Sequence, residues 1–164
     1  MGKTPGNPII FIHGQESSSQ GTKGRFFSEL VPEMVIPDFR GDVSTRMTKL
    51  NEILSGRSQI TMIGSSLGGL MAALFAFQNQ DKLKKLILLA PALNLPEFDP
   101  YLSRRLALPV TVFHGKNDEL IPAGPIQAIA AKVFANLTFT LLNDDHRLTS
   151  TFSTIDWPRL LFEQ

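Results

Sequence analysis

Ser66, Asp118 and His146 are the residues whose types, order and surroundings could do chemistry together. Ser66 lies in Gly64-Ser65-Ser66-Leu67-Gly68, between the apolar, β-branched run Gln59–Ile63 and an Ala- and Leu-rich run that begins at Leu67. Strand, sharp turn and helix form the setting in which G-x-S-x-G pushes a nucleophilic hydroxyl out at the carboxyl end of a strand. Strand and helix approach closely there, so small residues are needed two positions before and two after the nucleophile. Gly64 and Gly68 meet that need for Ser66, whereas Ser65 would have Ile63 and Leu67. The register selects Ser66.

A serine hydroxyl is a weak nucleophile; it needs an adjacent base, and the base needs an orienting acid. In the arrangement built around G-x-S-x-G the acid and then the histidine follow the serine in the chain. His114-Gly115-Lys116-Asn117-Asp118 closes one later apolar run and carries Asp118; Asn143-Asp144-Asp145-His146 closes the last and carries His146. All three then stand on one sheet edge, where open α/β sheets build their sites. Blander readings compete. A lone G-x-S-x-G arises by chance as a Gly/Ser-rich turn, and a Gly-rich loop at a helix N-terminus can hold phosphate. The P-loop version lacks its Lys and Ser/Thr, since Gly69-Leu70-Met71 follows instead. His13 and His114 each precede a Gly at a strand end and read as buried, hydrogen-bonded structural groups. Glu119 competes with Asp118, while Asp144 and Asp145 are close enough to His146 to shape its loop.

Acyl transfer also needs donors for the oxyanion. The backbone N–H of Leu67, at the start of the helix, and that of Gln15, in the loop after the first strand, are the candidates.

The elements that must position these groups are legible as apolar runs. Expected strands are Pro8–Gly14, Met34–Pro37, Gln59–Ile63, Leu86–Ala90, Pro109–Gly115 and Leu137–Leu142. Expected helices are Thr22–Val31, one capped by Asp42 or Ser44, Leu67–Asn79, Gly124–Phe134 and a short one from Asp156. The alternation implies an α/β three-layer sandwich with a six-stranded, mainly parallel sheet. Residues 1–164 read as a single domain. Pro91–Leu108 interrupts the rhythm with three prolines and an apolar set, and reads as a rudimentary lid or an ordinary connection. Leu93, Leu95, Phe98 and Tyr101 are its candidates for a substrate wall, with packing on the sheet the commoner use of such residues.

Composition narrows the classes. A net charge of +1 and scattered basic residues give no nucleic-acid footprint. With no cysteine, disulfides, Cys-bound zinc and a thiol nucleophile are excluded. Met1–Pro8 lacks a signal-peptide core, and the apolar run Leu67–Phe77 is too short for a membrane span. A cytoplasmic protein with no membrane span is the expectation.

Through His13-Gly14, Gly64–Gly69, His114–Asp118 and Asp145-His146 the chain resembles the α/β-hydrolase superfamily over nearly its whole length. Within it the chain looks like the small, nearly capless bacterial esterases of the YqiA type. Their H-G-x-x-S-S-x-x-S-x-K loop is matched by His13, Gly14, Ser17, Ser18 and Lys23, with Gly21 standing in place of the last Ser. The resemblance implies strand order 2-1-3-4-5-6. The two further strands that usually open the family's sheet have no room before Pro8, and most of the usual cap is missing. It also implies a serine hydrolase acting on small ester substrates, thioesters included, with Ser66, Asp118 and His146 catalytic and no cofactor or metal. Serine at the elbow argues against a dehalogenase, which would use Asp. The rivals are a non-catalytic binding protein of the same fold with an inert triad, and a flavodoxin-like domain.

Overall fold

The inner apolar runs become parallel strands because they are hydrophobic on both faces and covered on both, and residues 134–142 add a half-exposed fifth strand at the edge. The computed structural model describes residues 7–163. Met1–Gly6, within the stretch read above for a signal peptide and for additional strands, lies outside the described residues, as does Gln164. The elements in order are β1 (Ile9–Ile12), α1 (Thr22–Leu30), α2 (Val43–Ile53), β2 (Ile60–Ser65), α3 (Leu67–Gln78), β3 (Leu83–Leu89), β4 (Leu106–Gly115), α4 (Ala123–Val133), β5 (Phe134–Leu142) and α5 (Trp157–Phe162). Among the described residues no helix is long and apolar enough to cross a membrane.

The period-2 alternation of strand side chains divides the core into two layers. Ile10, Ile12, Met62, Leu86, Leu88, Val110 and Val112 face α2, α3 and α4. Phe11, Ile63, Ile87 and Leu89 face the other way, against Phe27 of α1 and Trp157 and Leu161 of α5. The three-layer expectation therefore holds. α3 is apolar all round and buried from Leu67 to Phe77, as a helix enclosed by sheet, α2 and the chain after β3 must be.

The sheet has five strands rather than six, and its order is β1-β2-β3-β4-β5 rather than 2-1-3-4-5-6. The expected strand Met34–Pro37 is reduced to one parallel bridge, Val35 with Ile10. Val35 N donates to Ile9 O and Phe11 N to Val35 O, at 2.9 and 3.0 Å. Pro32 and Pro37 flank this stretch; neither has an N–H to extend a ladder, so pairing stops after one residue. The bridge still directs the chain. α1 carries it outward from β1 on one face, and α2 brings it back past β1 on the other. That reversal opens a crevice at the carboxyl ends of β1 and β2, the place where open α/β sheets bind ligands.

The segment after β3 also differs from expectation. Residues 106–108 are the first residues of β4, and Pro96–Tyr101 forms a 3₁₀ turn. Leu93 and Phe98 are fully buried in the core. This stretch packs as a connection between two parallel neighbours.

Candidate active site

Ser66 stands between β2 and α3 with φ 57° and ψ −117°, a conformation that costs a non-glycine residue about 1–3 kcal/mol. Its surroundings hold it there. Ser66 N donates to Leu89 O at 2.9 Å, and Ala92 N donates to Ser66 O at 3.0 Å, so the end of β3 clamps both sides of the turn. A Cβ on Gly64 would run into the Gly68 carbonyl oxygen, and one on Gly68 into the carbonyl oxygens of Ile12 and His13. The small residues flanking Ser66 are thus required by the packing of α3 against β2 and β1.

The acid and the histidine come from the next two strand ends. At the end of β4, Asp118 is buried, and its Oδ1 accepts from the N–H groups of Leu120 at 3.0 Å and Ile121 at 2.8 Å. At the end of β5, Asp144 organises the loop that carries His146. Its carboxylate accepts from Asp145 N, Ser150 N, Thr151 N and Thr151 Oγ at 2.7–3.0 Å. Burial would raise the Asp144 carboxyl, but these hydrogen bonds outweigh it and hold the group below its ordinary value. Asp145 bonds the Thr149 hydroxyl and N–H. Both aspartates therefore serve the loop. Lys23 of α1 donates to Arg147 O at 2.6 Å and fastens that loop to α1.

Between these loops His146 Nδ1 donates to Asp118 Oδ2 at 2.7 Å. An ionised carboxylate only accepts, so Nδ1 carries the proton and the Nε2 lone pair is free. The Ser66 hydroxyl lies 3.1 Å from that Nε2. The histidine side chain is 17% exposed while the aspartate side chain is fully covered, which leaves the reacting edge open and the orienting acid dry. Residues 80 positions apart in the chain are brought to hydrogen-bond range.

Two further histidines are buried, and each does more than fill space. His13 Nδ1 donates to Gly14 O at 2.6 Å and its Nε2 accepts from Phe39 N at 2.9 Å. With the Gly14 carbonyl turned toward His13, planarity turns the Gln15 N–H on that same peptide the opposite way. Neither this N–H nor that of Leu67 has a protein acceptor among the described residues. His114 is buried and hydrogen-bonded, as the sequence leads one to expect, and its closeness to Asp118 is the part that the sequence did not announce. Its Nε2 lies 2.7 Å from Ile121 O and 3.2 Å from Asp118 Oδ2. The only signal was its place four residues before Asp118.

The candidate substrate wall is not assembled here. Phe98 and Tyr101 pack on Phe77, with ring centroids 5.7 and 5.2 Å away, and Gln78 Nε2 donates to the Tyr101 hydroxyl at 2.9 Å. Phe77 lies eleven residues beyond Ser66 on α3, roughly 16 Å of helix at 1.5 Å per residue. Leu93 is inside the core and Leu95 packs against it.

The same fold recurs in solved structures. A protein from Xanthomonas campestris pv. campestris, described as an α/β-superfamily hydrolase, is 27% identical, with 90% of this chain and 91% of that one covered and a TM-score of 0.74. In sequence and fold the chain is similar to the α/β-hydrolase superfamily. Two further superfamily structures share the fold. Est1E from Butyrivibrio proteoclasticus has 20% identity, coverage of 91% and 84%, and a TM-score of 0.75. An esterase from Exiguobacterium antarcticum has 14% identity, coverage of 91% and 87%, and a TM-score of 0.73. The family described as serine aminopeptidase, S33, matches residues 35–107, a stretch that includes Ser66 but ends before Asp118 and His146. No curated protein matches the sequence.

Proposed function

We propose that this protein is a serine esterase, cleaving carboxylic esters or thioesters through an acyl-enzyme on Ser66. The observation that carries the reading is the single imidazole of His146, 2.7 Å from Asp118 on one side and 3.1 Å from Ser66 Oγ on the other. His146 Nε2 takes the hydroxyl proton as Ser66 Oγ attacks the carbonyl carbon, and Asp118 stabilises the imidazolium that forms. The N–H groups of Gln15 and Leu67 receive the oxyanion; losing one such donor typically costs about 3–4 kcal/mol of transition-state stabilisation. The same histidine gives its proton to the leaving alcohol or thiol. Water, deprotonated by His146, then releases the acid and restores Ser66.

The esterases among the structural neighbours support ester chemistry, and the match to serine aminopeptidases supports a serine-based hydrolase. The narrower likeness to YqiA-type esterases rests on the loop His13–Lys23. We read residues 1–164 as one hydrolase domain whose site is open, since Pro91–Arg105 packs on α3.

A fluorophosphonate probe tests the reading. Labelling of the wild type, lost in Ser66→Ala and His146→Ala, supports it, with turnover of 4-nitrophenyl esters falling by a factor on the order of 10³–10⁶. A folded wild type that neither labels nor turns over esters is a binding protein with an inert triad.

A further inference from the structure

Beside the loop that carries Gln15 lies a cavity of about 490 Å³, walled by Gln15, Glu16, Asp38, Arg40 and Arg46 among others. Arg46 is 4% exposed and stands near the N-terminus of α2. A cation is unfavourable at that end of a helix, and a buried, unpaired charge is costly anywhere. Arg46 Nε donates to Gly41 O at 2.9 Å. Nη1 is buried with no partner. Among the described residues no carboxylate oxygen lies within 4.0 Å of the guanidinium. The two N–H groups of Nη1 are thus buried donors without a protein acceptor. Burial lowers its pKa from the ordinary arginine value without removing the charge.

The other charged groups of this wall, Glu16, Asp38 and Arg40, are exposed to solvent. Asp38 accepts from Ser19 N and Oγ at 2.8 and 3.0 Å. Lys49 donates to the Asp38 main-chain oxygen, and Arg40 stands on the same rim as Glu16. Arg46 alone is a buried charge without a counter-ion. Ser66 does not line the cavity, but Gly14, between its lining residues His13 and Gln15, separates the two: a Cβ on Gly14 would stand 3.2 Å from Ser66 Cβ.

We propose that this cavity is a subsite for an anionic group of the substrate, a carboxylate or a phosphate, held by the Arg46 guanidinium. Planar, forked donors suit either anion bidentately. The substrate is then an ester that carries a negative charge away from the scissile bond. That assignment of the anion to a substrate rests on Ser66 being the nucleophile; the anion site itself does not.

Two measurements test it. The first is the rise in melting temperature of the wild type, Arg46→Lys and Arg46→Met with glutarate or inorganic phosphate against chloride at equal ionic strength. The expected result is a rise in the wild type, smaller in the Lys variant and absent in the Met variant, whose own melting temperature without anion is no lower than that of the wild type. A response to glutarate alone assigns a carboxylate, and one to phosphate alone a phosphoryl group. The second is the ratio of kcat/KM for 4-nitrophenyl hydrogen glutarate to that for 4-nitrophenyl hexanoate. The ratio should fall roughly tenfold or more in Arg46→Met, as expected for a hydrogen-bonded charge pair. Equal anion responses in all three proteins, or no response in any, overturn the site. Anion binding that depends on Arg46 without turnover of any ester leaves the site standing and removes the proposed esterase.

Discussion

His114 Nε2 lies 3.2 Å from Asp118 Oδ2 and 2.7 Å from the Ile121 carbonyl oxygen, both groups fully buried. A carbonyl only accepts, so Nε2 carries the proton and donates it to Ile121 O, which leaves the polar edge of the ring against the carboxylate that holds His146. The ring stacks on Phe139 at 13°. Asp118 is thus held by the N–H groups of Leu120 and Ile121 and by His146, with the His114 ring closing the remaining side.

This makes His114 a positioning residue. A buried carboxylate that loses a polar N–H from its surroundings is harder to keep ionised, so His114→Leu should lower kcat for 4-nitrophenyl acetate roughly tenfold with little change in KM, since a pKa change of one unit is a factor of ten. His114→Gln, whose amide nitrogen can occupy the Nε2 position, should recover most of that loss. Equal kcat values for the two variants would assign the residue to packing alone.

Asp118→Asn should lower kcat by a factor on the order of 10⁴, because an amide facing Nδ1 favours the wrong imidazole tautomer. Glu119 is exposed, and Glu119→Gln should stay within about twofold of the wild type, an ordinary surface effect. Steady-state kinetics on one ester separates the two carboxylates; the reverse pattern would move the acid to Glu119.

Gly68→Ala should destabilise the fold by at least about 2–3 kcal/mol, since the new methyl meets the carbonyl oxygens of Ile12 and His13. Gly124, in the first turn of α4, has nothing within 4 Å of its would-be Cβ. Gly124→Ala should stabilise by about 0.5 kcal/mol through backbone entropy. Urea unfolding of the two variants reads both signs.

The Asp144 carboxyl is held below its ordinary value by the hydrogen bonds of its own loop, against the effect of burial. A depressed folded pKa contributes stability that is present above the unfolded value, about 3.9, and is lost as pH falls through the folded one. Asp144→Asn should therefore be less stable than the wild type at pH 7, with the gap closing below about pH 4. A gap that is constant with pH would mean that shape rather than charge holds the loop.

Phe98→Ala should cost about 3–5 kcal/mol, as the loss of a fully buried aromatic does. Selectivity across 4-nitrophenyl esters of graded chain length should not change, because Phe98 lies at the far end of α3 from Ser66. A shifted chain-length optimum would return Pro91–Arg105 to the substrate wall.

What the sequence determined by itself were the things that local and periodic physics decide. Apolar runs separated by amphipathic segments specify βα units, and the spacing of Gly64 and Gly68 picks Ser66 over Ser65. The strand ends place Asp118 and His146 on one edge, in the chain order that the chemistry needs. The tertiary structure decided what depends on contacts between distant segments. Val35 bridges Ile10 once instead of forming a strand, since two prolines bound the stretch and only the neighbouring edge shows how little pairing remains. Phe98 and Tyr101 are as apolar as a substrate wall would be, and only the run of α3 puts them beside Phe77. His114 and Arg46 carry no distinguishing pattern; their roles follow from what stands opposite them once the loops have packed. A side chain's type is set by the chain, but its partners are set by the fold, because contact energies act between neighbours in space.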